Sequence, residues 1–110
     1  MNEETIASIM KYVKQSLRLS FDDDDEDAYI KMIVKSSGDH VVGAVGGEAT
    51  DDFYNENNNE FILATSLLAH SHYLNRGANS DVNLEETSFG YQQYVLSLKA
   101  SYLVWRSKNG

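Results

Sequence analysis

The side chains with the most obvious capacity for chemistry are carboxylates. Asp22, Asp23, Asp24, Asp25, Glu26 and Asp27 follow one another without a break. Oxygen ligands at that density suit a hard cation, and an EF-hand loop arranges them with a glycine at its sixth position and a bidentate glutamate at its twelfth. Counted from Asp22, those positions hold Asp27 and Ile33, so the pattern fails at both. The run reads first as the cap and first turn of a helix, where carboxylates meet the positive end of the helix dipole. An acidic surface turned toward DNA or a basic partner is its second use.

The histidines do not assemble a metal site either. His70 and His72 are two residues apart, about 200° of rotation on a helix, so they face opposite sides. The His-Glu-x-x-His spacing of helical zinc sites is absent, and His40 stands alone. All three read as packed or interface histidines. No serine sits in Gly-x-Ser-x-Gly or Ser-x-x-Lys, and the glycines of VVGAVGG lack the Lys-Ser/Thr of a phosphate loop. There is no cysteine, which removes thiolate catalysis, disulfides and Cys-based zinc together. These absences lead us to expect no enzyme activity, no cofactor and no metal. The aromatic series Tyr91, Tyr94, Tyr102 and Trp105 is left, followed by Arg106 and Lys108. It suits a helix core, a partner interface, or one edge of each, since Tyr, Trp and Arg are enriched at binding hot spots.

Helices must position these groups. Ile6, Ile9, Met10, Val13 and Leu17 make one helical stripe and predict a first helix over 4–17. The acidic run opens a second helix over 24–45, whose buried face is Ile30, Ile33, Val34, Ser37, Val41 and Val45. Gly38 and Gly43 each cost it roughly 1 kcal/mol against alanine, which predicts bending or fraying in its second half. Gly46-Gly47 is its C-terminal stop. A polar loop, 48–59, carries Phe53 and Tyr54. A third helix over 58–75 is apolar or small nearly all round (Phe61, Ile62, Ala64, Leu67, Leu68, Ala69, Ser71, Leu74), the pattern of a central helix. Arg76-Gly77 ends it. After a second polar loop, 78–88, a fourth helix runs over 91–105 on the stripe Tyr91, Tyr94, Val95, Leu98, Tyr102 and Trp105; Leu96 and Leu103 lie off that stripe. The expected fold is therefore an all-α single domain over residues 1–110, a small bundle of about four helices with two polar loops. Residues 104–110 are a candidate partner-binding extension.

Charge is divided unevenly. Residues 1–60 hold 14 acids against 5 Lys/Arg and residues 61–110 hold 3 against 4, within a formal net charge of −8. Such a surface repels phosphates and disfavours sequence-specific DNA binding, yet it suits a channel through which DNA passes without sticking. The N-terminal stretch MNEETIASIMKYVKQS is acidic and amphipathic, unlike a signal peptide, and no stretch is apolar enough to predict a membrane span.

The order of features resembles a known family. A short amphipathic helix is followed by the acidic turn FDDDDEDAYI, a second helix ending in GAVGG, an apolar helix closing with HSHYLNRG, and then SFGYQQYVLSLK. This resembles the small head–tail connector, or adaptor, proteins of long-tailed phages and prophages, which sit beneath the portal. Tyr73, Asn75 and Arg76 match the family's aromatic-x-Asn-Arg ending of the central helix, and Phe89 and Gly90 match the Phe-Gly pair that opens its last helix. Ser88 stands where the family often has proline, and His72 where it often has tryptophan.

The resemblance implies a ring of about twelve copies closed by head-to-tail contacts, docked on the portal at the head–tail junction of a virion. The ring extends the DNA channel, with no sequence-specific contact to DNA, and offers a platform to the next head-completion or tail protein. It further implies that the C-terminal segment engages the portal, through Tyr102, Trp105, Arg106 and Lys108, and that Asp22, Asp23, Asp24 and Asp25 face the channel. The alternative is an acidic DNA mimic that inhibits a DNA-binding enzyme; the near-neutral, aromatic C-terminal half disfavours it.

Overall fold

The computed structural model describes residues 1–17, 24–74 and 81–109; of 24–25 and 81–89 it describes the backbone alone. The protein is an all-helical bundle of four helices: α1 (Glu3–Leu17), α2 (Asp24–Val45), α3 (Asn59–Leu74) and α4 (Asp81–Asn109), with a short 3₁₀ turn at Asp52–Tyr54 between α2 and α3. No strand occurs among the described residues.

Each helix forms where its apolar spacing and its ends agree. In α1, Ile6, Ile9 and Val13 are buried, and Asn2 begins the helix by accepting the Thr5 backbone N–H at its Oδ1 (2.7 Å). That satisfies one of the donors a helix start leaves without an intrahelical partner. α3 begins in the same way, with the Phe61 N–H donating to Asn58 Oδ1 (3.1 Å). α2 buries Ile30, Ile33, Val34, Ser37 and Val41, as its pattern predicts, while Val45 at the end of the same face is partly buried. It does not fray in its second half but continues unbroken to Val45. Val41 and Val42 are both buried there, and tertiary packing outweighs the glycine and valine propensities. At Gly38 the end of the Met1 side chain, a flexible thioether, lies against the helix where a Cβ would stand. The helix stops at Gly46 and Gly47, both with positive φ (131° and 77°).

α3 is the central helix and touches the other three. Phe61, Ala64 and Ala69 are completely covered, and small residues let neighbours approach closely. It is not buried all round, however. Leu63 and Leu74 stand 42% and 60% exposed, so the apolar pattern extends onto a face that no described element covers.

Two expectations about the chain's second half are corrected. α4 begins at Asp81 instead of Tyr91, so most of the second polar loop is helix. The polar composition of DVNLEETS suggested a loop, but the stretch has neither proline nor glycine, and its acids lie toward the positive end of the dipole. Consequently Phe89-Gly90 lies inside α4 and does not open it. Its 29 residues give α4 a length of roughly 44 Å. The first polar loop carries core, because Tyr54 and Phe53 are 1% and 9% exposed.

One charge is taken inside. Lys14 is buried on α1 and forms an ion pair with Asp27 of α2. The long lysine stem packs along the helix interface while its ammonium meets the carboxylate.

Candidate partner interface

The C-terminal part of α4 is where buried structure and exposed binding chemistry meet. Its inner face is locked by an aromatic cluster. Tyr102 is 5% exposed and its hydroxyl donates to Asp51 Oδ2 (2.9 Å), the oxygen that also accepts the Glu48 backbone N–H (3.0 Å). Phe53 meets Tyr102 edge-on at 5.2 Å, and Tyr54 lies 6.1 Å from the same ring. Edge-to-face and offset pairs of this kind suit the ring quadrupole. Tyr54 in turn packs on Phe61 of α3 (4.8 Å) and donates its hydroxyl to the Gly46 carbonyl (2.5 Å). The glycine turn, the 3₁₀ turn, α3 and α4 are thus tied at one end of the bundle.

Burial, followed by the neighbouring Tyr102 and Asp51, raises the Tyr54 phenol well above its ordinary value. The folded state therefore keeps this proton when the unfolded chain, titrating near pH 10, has lost it. Stability is complete below about pH 10 and falls as pH climbs toward the folded value. The urea midpoint should drop as pH rises above about 10, and Tyr54→Phe should remove much of that drop. An equal slope in Tyr54→Phe would contradict the assignment.

The outer and terminal faces of α4 are open. Trp105 is half-buried, 5.6 Å from Tyr102 and 5.9 Å from Phe53, with the rest of its indole facing out. Leu103 and Val104 are 68% and 55% exposed. Arg106 and Lys108 are exposed and form no ion pair among the described residues. Asn109 Nδ2 donates to the Trp105 carbonyl (2.8 Å), supplying a donor to one of the last carbonyls of the helix.

The residues singled out by sequence separate accordingly. Trp105, Arg106 and Lys108 all lie in the last turns of α4, with Arg106 and Lys108, two residues apart, on opposite sides of the helix. Tyr102 stands apart from them as core: its ring is enclosed and its hydroxyl committed to Asp51, so it holds the tip in place. Tyr73 is buried on α3, with its ring 6.1 Å from Tyr29 of α2. Asp22, Asp23, Asn75 and Arg76 lie outside the described residues, as do the side chains of Asp24, Asp25 and Phe89. Gly90 faces Leu67, whose Cδ1 lies 3.9 Å from where a Cβ would stand.

The histidines do diverge. Ser16 Oγ donates to the Val13 carbonyl (2.8 Å), which leaves it to accept from His70 Nδ1 (2.8 Å). His72 lies on the side of His40, and loss of hydration, then the His40 charge, lowers its pKa. Among the described residues no group of three His, Cys, Asp or Glu side chains could hold a metal ion. Nor is any helix there long and apolar enough to cross a membrane.

Sequence reasoning missed the anchoring role of Asp51 and of Phe53-Tyr54. The signal available was two adjacent aromatics in an otherwise polar loop, a pattern a solvated loop has no use for. Comparison with protein-family models, with curated proteins and with solved structures finds no match to this chain.

Proposed function

We propose that this protein is a structural subunit of a phage-type head–tail connector, a ring that docks on the portal, extends the DNA channel and presents a platform for tail or stopper attachment. The observation that carries the proposal is the tip of α4. It combines an indole, the exposed Val104 and two cations on a helix end held by a buried tyrosine. Aromatic and basic residues clustered on a preorganised element are what a protein-docking anchor requires. The strongly acidic remainder of the chain fits a wall past which DNA slides, because phosphates find few cations there.

Arg106 and Lys108 touch nothing that the fold needs, so their replacement separates binding from stability. The double variant Arg106→Glu/Lys108→Glu should keep the wild-type melting curve. It should bind the portal protein of the same genome about 10-fold or more weakly in a surface-immobilised assay. Truncation after Leu103 should abolish that binding. Undiminished binding by both variants would remove the α4 tip from the portal contact, and a wild-type chain that ignores the portal would overturn the connector reading.

A further inference from the structure

Two apolar stripes face outward on different helices. On α4, Leu96, Ala100 and Leu103 recur at i, i+4 and i+7 on the side opposite Val95, Leu98 and Tyr102, and Leu96 and Leu103 are 63% and 68% exposed. On α3, Leu63 and Leu74 share one face and are 42% and 60% exposed, while Leu67 and His70 between them are half-buried, Leu67 beside Gly90 of α4 and His70 against Ser16 of α1. Apolar side chains repeated along one helix face at this exposure mark a surface that another molecule covers.

The charges beside each stripe decide what covers it. The α4 stripe is edged by Lys99 and Arg106, seven residues apart on one side, and from Tyr91 to Gly110 the sequence contains no Asp or Glu. The α3 stripe begins below Glu60, one turn before Leu63. Glu56 lies in the turn before α3, with Asn2 Nδ2 donating to its Oε2 (3.1 Å) and with Glu4 close by. Two α4 stripes laid together would oppose cation to cation, and two α3 stripes would oppose carboxylate to carboxylate. One of each is matched in both apolar surface and sign.

We propose that the α4 stripe of one copy seats on the α3 stripe of a second copy. The contact is heterologous: every bound chain still offers one stripe of each kind, so copies add until a ring closes. The proposal rests on the ring-subunit reading above and assigns its subunit contact to Leu96, Lys99 and Leu103 on one copy and Glu60, Leu63 and Leu74 on the next. The residues beyond Leu103 (Val104, Trp105, Arg106 and Lys108) are left for the portal.

Leu63→Asp and Leu103→Asp each spoil one stripe at an exposed position, and both should retain wild-type helicity and a cooperative melt. In sedimentation velocity the wild type should form a closed multi-subunit species, and each variant alone should sediment as a monomer. Mixed, the two variants should give a 1:1 dimer and nothing larger, because one good stripe of each kind remains between them. Lys99→Glu should weaken assembly, and adding Glu60→Lys in the same chain should recover it. Assembly of Leu63→Asp like the wild type, a mixture that stays monomeric, or a wild type that stays monomeric at millimolar concentration would each overturn the proposal. Failure of the connector reading looks different: assembly follows this pattern, yet no species binds the portal.

Discussion

Replacing Tyr102 with alanine is expected to lower the unfolding free energy by about 3–5 kcal/mol, the range for deleting a large aromatic from a well-packed site. A domain of this size has on the order of 5–15 kcal/mol in total. The ring is enclosed by Phe53, Tyr54 and Trp105, none of which can move in to fill the space without leaving its own partners. The hydroxyl holds the Asp51 carboxylate, which also fastens Glu48 and so closes the turn after α2.

Tyr102→Phe isolates the second effect. It keeps the ring and removes one hydrogen bond to a charged acceptor, so it should cost about 1.5–3 kcal/mol. Urea denaturation followed by far-ultraviolet circular dichroism measures both variants. A Tyr102→Ala midpoint within experimental error of wild type would mean that the cluster does not hold the end of the bundle. The same variant should also weaken portal binding, since the α4 tip would lose the side chain that orients it.

Gly47→Val is expected to cost about 3 kcal/mol, from two causes that add. The backbone there has φ 77°, a left-handed conformation that β-branched residues strongly resist. A Cβ would also collide with the Tyr102 hydroxyl and stand 2.5 Å from Asp51 Oδ2. Both atoms are tied to each other by a hydrogen bond, so neither yields cheaply.

Gly43→Ala supplies the contrast. It lies inside α2, nothing stands within 4 Å of the added Cβ, and alanine is the better helix former, so the change should stabilise by about 0.5–1 kcal/mol. Thermal melts of the two variants should therefore shift in opposite directions. A shift of the same sign for both would show that propensity alone governs these glycines. A Gly47→Val melt equal to wild type would mean that the turn after α2 is not held as described.

Much of the helical framework was legible because helix periodicity is a local property. The stripe of α1 and that of α4 can be read by counting, and the buried apolar side chains Ile6, Ile9, Val13, Val95, Leu98 and Tyr102 are among those counted, although Thr5 and Lys14 of α1 are buried without belonging to the stripe. The stop at Gly46-Gly47 was legible because only glycine adopts that conformation at low cost. Other features resisted a local reading. The start of α4 at Asp81 was hidden by composition: a polar stretch without breakers is compatible with either loop or solvated helix, and propensity differences of a few tenths of a kcal/mol per residue do not decide between them. The partition of α3 was hidden too. Leu63 and Leu74 look like Phe61 and Leu68 in the sequence, and only the placement of α1, α2 and α4 around the helix separates the covered side chains from the open ones.

The candidate interface divides in the same way. The residue types that can dock a partner, Trp105, Arg106 and Lys108, were visible in the sequence, as was the oddity of Leu96 and Leu103 lying off the buried stripe. Tyr102 belonged with them by type and spacing and was separated from them only by Asp51, fifty-one residues away along the chain. By itself, then, the sequence determined an all-helical chain, the faces that α1, α2 and α4 turn inward, the glycine turn after α2, and a charge asymmetry between its halves. Only the tertiary structure decided which aromatics are anchor and which are surface, and which leucines are left without cover. The physical reason is range: periodicity, propensity and capping act over a few residues, whereas burial is decided by neighbours brought together from distant parts of the chain.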